Sequence, residues 1–266
     1  MPRAKKTLLV CLDGIRPDAL LIAHTPFIHN LVHSCTYSFH AQCPGTPLSY
    51  PAWTSTFTGV TEAVHGITSN TPPPTPFTPP AWDRDLTTAV VLQGWYGLRN
   101  VIYGGNENTF GRGEVSVGEG NQLHMFAEKD IKAAVSKMTS LLAAPQVSDI
   151  SVLYLHGADQ AGHDHGFAPH IQTYVDKIAE LDQYVQQVWC AARARRDRED
   201  WLLVLTTDHG GRVRQGLSKG VHGTRGLSPE STIFVMLEHD GIPQEIIPPP
   251  TNTYIAQRIR AHFSKV

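Results

Sequence analysis

The chain has 266 residues, of which 41% are hydrophobic, enough to fill the core of one α/β domain spanning residues 1–266. Its 22 Lys and Arg residues nearly balance 24 Asp and Glu residues, and only a short arginine cluster at 193–198 stands out. This balance argues against a nucleic-acid polymer or a membrane surface as a partner. No apolar run reaches the about 20 residues of a membrane-spanning helix. The short apolar run after the basic N-terminal residues does not fit a secretory signal, so a cytoplasmic protein is predicted.

The cysteines have no spacing typical of a zinc knuckle or of a disulfide framework. They are Cys11, Cys35, Cys43 and Cys190. Free thiols are therefore expected.

Apolar runs of strand length alternate along the chain with segments of helical periodicity. Buried strands are predicted at 7–12, 150–155, 201–205 and 231–237, with a shorter strand at 100–103. Helices are predicted at 26–32, 86–96, 126–142, 170–194 and 251–263. The proline-rich stretch 71–80 and the glycine-rich stretch 104–120 read as loops. This alternation predicts an α/β fold, a three-layer sandwich with a mainly parallel central sheet and helices on both faces.

Three of the predicted strands are followed by carboxylate and imidazole side chains, which parallel strands would bring to one edge of the sheet. These residues are Asp13, Asp159, His163, Asp208 and His209, and His222 follows in a later loop. Asp and His are common ligands of catalytic zinc, and about three protein ligands per ion would suffice for two ions. Each piece alone has a plainer interpretation, since Asp-Gly is common in turns and Asp-His-Gly could cap a helix. Their order at successive strand ends is what favours a two-metal site.

A candidate nucleophile lies in the Ser-, Thr- and Pro-rich stretch 43–70, where Ser49 precedes Tyr50 and Pro51. A serine hydroxyl needs a neighbouring base or metal to become reactive. The remaining histidines, His156 among them, show no comparable strand-end partner and are interpreted as loop or surface residues, and His65 as structural.

The motifs, taken in order, resemble the alkaline phosphatase superfamily, and most closely its type I phosphodiesterase and nucleotide pyrophosphatase branch. They are LDGIRPD, SYP with TG and HGI downstream, D-x-x-G-H, TDHG and VHGT. The resemblance implies an alkaline phosphatase-like fold and two metal ions, zinc by family, although manganese would suit the same carboxylates. It assigns Asp13, Asp208 and His209 to one ion together with Ser49, and Asp159, His163 and His222 to the other.

The resemblance also assigns roles toward the substrate. Ser49 stands where the branch usually has threonine, Asn70 where an asparagine donates to a phosphoryl oxygen, and Tyr50 where an aromatic ring stacks on a nucleotide base. The implied reaction is a two-step phosphoryl transfer through a phosphoseryl intermediate, on a small phosphorylated substrate such as a nucleotide.

Departures from the branch keep other functions open. Ala52-Trp53 replaces an Asn-His pair, and Glu62 stands where proline is common. A phosphomonoesterase is the main alternative, although no Lys or Arg in the motifs clearly supplies the extra positive charge, and Arg16 could be structural. A sulfatase would have arginine at the place of Trp53, and a phosphonate hydrolase remains open. A non-catalytic binding module and a mutase with an added cap domain rank lower.

Overall fold

The computed structural model describes residues 3–71, 86–103, 115–117, 123–217, 219–239 and 241–264. The strands are β1 (Ala4–Leu12), β2 (Thr36–Gln42), β3 (Thr88–Gln93), β4 (Val115–Val117), β5 (Leu123–Glu128), β6 (Ile150–Leu155), β7 (Glu199–Thr206), β8 (Arg212–Val213), β9 (Gly220–Val221), β10 (Thr232–Glu238) and β11 (Gln244–Glu245). The helices are α1 (Pro17–Ile22), α2 (Pro26–Leu31), α3 (Ser49–Thr58), α4 (Glu62–His65), α5 (Leu98–Tyr103), α6 (Ile131–Ala143), α7 (Gly157–His165), α8 (Gln172–Arg193), α9 (Ser228–Ser231) and α10 (Tyr254–Phe263).

Nine strands form the central sheet in the order β11-β2-β10-β7-β1-β6-β3-β5-β4, and β8 pairs with β9 separately. The five strands β7, β1, β6, β3 and β5 run parallel to one another, while β10 and β4 pair antiparallel with their neighbours. Continuous apolar sequences form β1, β6 and β7 because helices cover both faces of these strands. The predicted mainly parallel sheet is confirmed.

Two hydrophobic cores lie on the two faces of this sheet. Alternate residues of β1 point to opposite sides, so that Leu8 and Val10 enter one core and Leu9 and Cys11 the other. The first core includes residues of α1, α2, α6 and α8, and the second includes residues of α3, α5 and α10. This arrangement is the predicted three-layer sandwich.

Three local predictions are wrong. Segment 86–96 was predicted as a helix but holds β3, whose apolar residues are buried between β6 and β5. The predicted short strand 100–103 lies in α5. The predicted helix 126–142 begins only at Ile131, after β5, because the side chain of Asp130 accepts the amide of Ala133 and caps the helix there.

The loop prediction for 71–80 falls almost entirely outside the described residues, as does most of 104–120. Residues 115–117, inside the second stretch, form β4 rather than loop. All four cysteines are free, as expected. None of the described helices is both long and apolar enough to cross a membrane.

Candidate active site

The predicted ligands meet at the carboxyl ends of three adjacent strands. Asp13 follows β1, Asp159 lies in the first turn of α7 after β6, and Asp208 and His209 follow β7. Because β7, β1 and β6 are neighbours and parallel, these residues come together at one edge of the sheet. All four are nearly inaccessible to solvent, with exposed fractions of 0 to 2%.

In each of the carboxylates of Asp13 and Asp208, one oxygen accepts hydrogen bonds and the other oxygen has no hydrogen-bond partner among the described residues. Oδ2 of Asp13 accepts the indole N–H of Trp53 at 3.0 Å and the hydroxyl of Tyr154 at 2.6 Å. Oδ1 of Asp208 accepts the amide of Gly14 at 3.2 Å. Oδ1 of Asp13, Oδ2 of Asp208 and Oδ1 of Asp159 are buried and have no hydrogen-bond partner among the described residues. Three acceptor-only oxygens in this state indicate that the site is built for cations.

The histidines share one orientation. Nδ1 of His209 faces the carbonyl of Gly210 at 2.8 Å, and Nδ1 of His222 faces that of Pro47 at 2.8 Å. Nδ1 of His163 lies 3.3 Å from the carbonyl of Gly220. Donation from Nδ1 to a backbone carbonyl, with Nε2 left for the metal ion, is the usual arrangement of metal-ligating histidines.

The Nε2 atoms lie among the carboxylates. Nε2 of His209 is 3.3 Å from Oδ2 of Asp208 and 3.6 Å from Oδ1 of Asp13. Nε2 of His163 is 3.3 Å from Oδ2 of Asp159, and Nε2 of His222 is 3.5 Å from its Oδ1.

These contacts divide the ligands into two groups, within each of which the ligand atoms lie within 4.8 Å of one another. The groups are Asp13, Asp208 and His209, and Asp159, His163 and His222. A further set of equally close ligand atoms, on Asp13, His156 and Asp159, shares one residue with each group. The six predicted ligands therefore occur in the two predicted sets of three. Each set has the composition of a catalytic zinc site, which keeps positions open for water or substrate.

Gly14 allows two of these strand ends to approach closely. Its φ is +69°, a left-handed conformation that side chains rarely adopt, and a Cβ there would lie 2.6 Å from Cβ of Asp159. The Asp-Gly sequence after β1 therefore forms a turn, as Asp-Gly sequences commonly do. The same turn allows Asp159 to lie close to Asp13.

Burial and the charges of neighbouring carboxylates dominate the electrostatics of Asp208. The pKa of Asp208 is raised well above its usual value, first by burial and then by the nearby charges of Asp13 and Asp159. Burial also lowers the pKa of His222 to about 3, with help from the charge of His209. Bound cations would offset the repulsion that Asp208 experiences from these neighbouring charges.

Asp159 behaves in the opposite way. Burial acts to raise its pKa, but hydrogen bonds from His156 and His163 outweigh burial, and the net pKa is lowered. The bond to Asp159 in turn raises the pKa of His163.

Ser49 is the first residue of α3, and its Oγ lies 3.2 Å from Nε2 of His209. The side chain of Asn70 reaches the same helix end, where its Oδ1 accepts the amide of Tyr50 at 2.9 Å. With that oxygen engaged, the amide NH₂ is the group that Asn70 could offer to a ligand.

Glu62 joins two loops around Ser49. Its carboxylate accepts the amide of Thr46 at 2.5 Å and pairs with Arg225, which lies in the loop after His222. The residue that replaces the usual proline therefore has a structural role beside the site.

The predicted substrate contact of Tyr50 does not fit this structure. Its ring has an exposed fraction of 0% and packs edge-on against Trp95, so it would have to leave the core to stack on a base.

Arg16 is structural, because it bonds Asp18 and the carbonyls of Phe167 and Gly211.

Sequence reasoning missed three residues that contact the ligands. His156, interpreted as a residue without a strand-end partner, directly follows β6, and its Nε2 lies 3.0 Å from Oδ2 of Asp159. Its place after a buried strand was the available signal. Trp53 and Tyr154, which bond Asp13, gave no such signal because their ring positions depend on packing between α3 and the sheet.

A mainly parallel sheet with carboxylates, imidazoles and a serine hydroxyl gathered at its carboxyl edge defines an enzyme of the alkaline phosphatase superfamily. The family model of type I phosphodiesterase / nucleotide pyrophosphatase matches residues 7–97 and 75–212, more than half of the chain. The chain therefore belongs to this family and is a phosphoric ester hydrolase of the phosphodiesterase type. No curated protein matches the sequence.

Solved structures share the fold over nearly the whole chain. Murine ectonucleotide pyrophosphatase / phosphodiesterase 5, in an inactive form in complex with AMP, is 13% identical with a TM-score of 0.71, covering 97% of this chain and 94% of its own. The human protein of the same name is 14% identical with a TM-score of 0.64, covering 96% and 94%. A sulfatase of Bacteroides thetaiotaomicron, described with glycosaminoglycan metabolism, is 11% identical with a TM-score of 0.64, covering 95% and 71%. Identities this low show a shared fold and nothing finer.

Proposed function

We propose that this protein hydrolyses small phosphodiesters, nucleotides foremost, through a phosphoserine formed at Ser49 beside two zinc ions. The observation that carries the proposal is the set of three buried carboxylate oxygens without hydrogen-bond partners in the described ranges. Two of them, on Asp13 and Asp208, lie beside Nε2 of His209, and the third, on Asp159, lies beside Nε2 of His222. Nε2 of His209 in turn is 3.2 Å from the Ser49 hydroxyl.

Asp13, Asp208 and His209 would hold one ion, and Asp159, His163 and His222 the other. Two bound divalent ions would supply the positive charge that lowers the pKa of a serine hydroxyl and offsets charge on phosphoryl oxygens. Mixed imidazole and carboxylate ligands favour zinc, and manganese is the alternative that a metal titration would detect.

The residues of the chain supply the remaining steps. Oγ of Ser49 gives up its proton to water and attacks phosphorus, and the bond to the leaving oxygen breaks as that oxygen takes up a proton. Water then cleaves the bond between Oγ and phosphorus, which releases the phosphorylated product and regenerates the hydroxyl. Ser49 begins a ten-residue helix, whose dipole favours a negatively charged phosphoryl group at this end. The amide of Tyr50 is bonded to Asn70 and Pro51 has no amide hydrogen, so these two residues donate no backbone hydrogen bond to the phosphoryl group. The NH₂ of Asn70 would donate to one phosphoryl oxygen.

The surroundings support a diester rather than a monoester. A dianionic monoester gains from a free cationic side chain, but Arg16 is bonded to Asp18 and backbone carbonyls, and Arg225 pairs with Glu62. The position at which a sulfatase would have arginine is occupied by Trp53, which bonds Asp13. The AMP complex of the murine protein supports a small nucleotide as the substrate class.

The test compares Ser49→Ala with Ser55→Ala. Both serines lie in α3, both have an exposed fraction of 5%, and both hydroxyls contact an imidazole, His209 for Ser49 and His65 for Ser55. We expect Ser49→Ala to lose hydrolysis of bis-p-nitrophenyl phosphate by at least 10³-fold, on the order of a lost nucleophile, and to keep its bound zinc. Ser55→Ala should stay near the wild-type rate.

Near-normal turnover by Ser49→Ala would refute the nucleophile assignment. A wild-type preference for p-nitrophenyl phosphate over the diester would refute the proposed substrate class, and zinc-independent hydrolysis would refute the metal assignment.

A further inference from the structure

A separate group of potential metal ligands lies at the other end of β7, away from the candidate active site. Asp200 is at the start of β7, His239 directly follows β10, and His262 is in the last turn of α10. The whole of β7 separates Asp200 from Asp208, a distance on the order of 20 Å for a strand of this length. The three residues belong to neither of the groups assigned to the candidate active site.

The side chains converge closely. One ligand atom from each residue lies within 4.8 Å of the other two. Nε2 of His239 is 2.9 Å from Oδ1 of Asp200, and the rings of His239 and His262 are 5.0 Å apart at an interplanar angle of 81°. The carboxylate and the two imidazoles thus surround one small volume.

His262 provides the independent observation that indicates a ligand. Its exposed fraction is 9%, and its Nε2 is buried with no hydrogen-bond partner in the described part of the chain. A buried ring nitrogen left in this state costs free energy unless an ion or another group satisfies it.

The charge state of the cluster suits a cation. Burial lowers the pKa of His262, as does the neighbouring His239, while Asp200 acts to raise it, and the net effect favours the neutral ring that binds metal. Lys5 and Arg258 are nearby positive groups: the ammonium of Lys5 donates to the carbonyl of Ser264 at 2.9 Å, and Arg258 lines the cavity beside His239.

Space for further ligands is present beside the cluster. His239 lines a cavity of about 210 Å³ whose other walls include Gln244 and Arg258. Asp200 and His262 do not line this cavity, so water or a small anion in it would approach a bound ion from the side of His239.

We propose that Asp200, His239 and His262 bind a third divalent metal ion of the zinc class, which fastens α10 to the ends of β7 and β10. The ion would stabilise the fold, because it would join α10 to the sheet. α10 and the residues before it also contact the helix that carries Ser49. Arg260 donates to the carbonyl of Thr58 at 3.3 Å, and Asn252 to that of Ala52 at 3.1 Å. The proposal does not depend on the chemistry assigned to Ser49.

The experiment measures bound zinc per chain by mass spectrometry after equilibration with Zn²⁺ and removal of the free ion. Asp200→Asn and His262→Gln are compared with wild type and with His33→Gln, which removes an exposed histidine outside the cluster. We expect the two cluster variants to bind one zinc fewer than wild type, and to keep diester hydrolysis within about twofold of it at saturating zinc. The zinc-induced rise of the Tm should shrink in both variants and stay unchanged in His33→Gln.

Asp200→Asn keeps the shape of a half-buried side chain, so it remains informative if His262→Gln folds poorly. Unchanged zinc content in Asp200→Asn would overturn the proposal. Two ions fewer, together with lost hydrolysis, would also overturn it, because the cluster would then not be a separate site.

Discussion

Trp53→Phe tests whether the hydrogen bonds behind the candidate ligands orient them for a metal ion. The substitution removes the indole N–H that donates to Oδ2 of Asp13 at 3.0 Å, and leaves the bond from Tyr154 at 2.6 Å. A hydrogen bond to a charged group contributes about 1.5–3 kcal/mol. Loss of such an outer partner lowers metal affinity about 10- to 100-fold, which agrees with that energy at 1.36 kcal/mol per tenfold. We therefore expect the zinc concentration for half-maximal diester hydrolysis to rise by about 10- to 100-fold.

Trp189→Phe is the matched control for this prediction. Trp189 is also fully buried, and its indole donates to a carboxylate, Glu238, at 2.7 Å. Both variants lose the same atoms and the same type of bond, so both should lower the free energy of unfolding. Only Trp53→Phe should change the zinc dependence, measured with bis-p-nitrophenyl phosphate in chelator-buffered zinc. If the two variants share the wild-type midpoint, the indole of Trp53 does not orient Asp13 for metal binding.

Two further substitutions test the turn after β1 and a carboxylate away from the site. Gly14→Ala should reduce hydrolysis far more than Gly216→Ala. Both glycines have a positive φ, but only at Gly14 would an added Cβ meet Asp159. Equal loss of activity in the two variants would contradict this reasoning. Asp149 has a lowered pKa: burial acts to raise it, but its hydrogen bond with Lys6 and further bonds outweigh burial. A carboxyl group whose pKa is lower in the folded than in the unfolded protein stabilises the fold at pH values above the unfolded pKa of about 4. This contribution is lost as the pH falls through the folded-state pKa. Asp149→Asn should therefore have a free energy of unfolding about 1 kcal/mol below that of wild type at pH 7, and this difference should shrink below about pH 4. Urea unfolding in EDTA measures it. A difference independent of pH would refute the lowered pKa of Asp149.

The candidate ligands could be predicted because their signal is local. Buried parallel strands are continuous apolar runs, and the residue types within a few positions after them are visible in the sequence, as at Asp13, Asp159 and Asp208. The helix predicted at 86–96 is wrong because a short apolar run fits a strand as well as a helix. Pairing with β5 and β6 makes this segment a strand.

The sequence by itself determined the fold class and the family, because these follow from periodicity and from motifs in order. It also predicted the six candidate ligands, whose binding of metal stays a prediction. Only the tertiary structure decided which contacts those residues make. Trp53 bonds Asp13 and the Tyr50 ring is buried because α3 packs against the sheet. The cluster of Asp200, His239 and His262 likewise joins residues far apart in the chain, since β7, β10 and α10 end at the same place. Contacts of this kind depend on how elements pack, and no local pattern in the sequence records them.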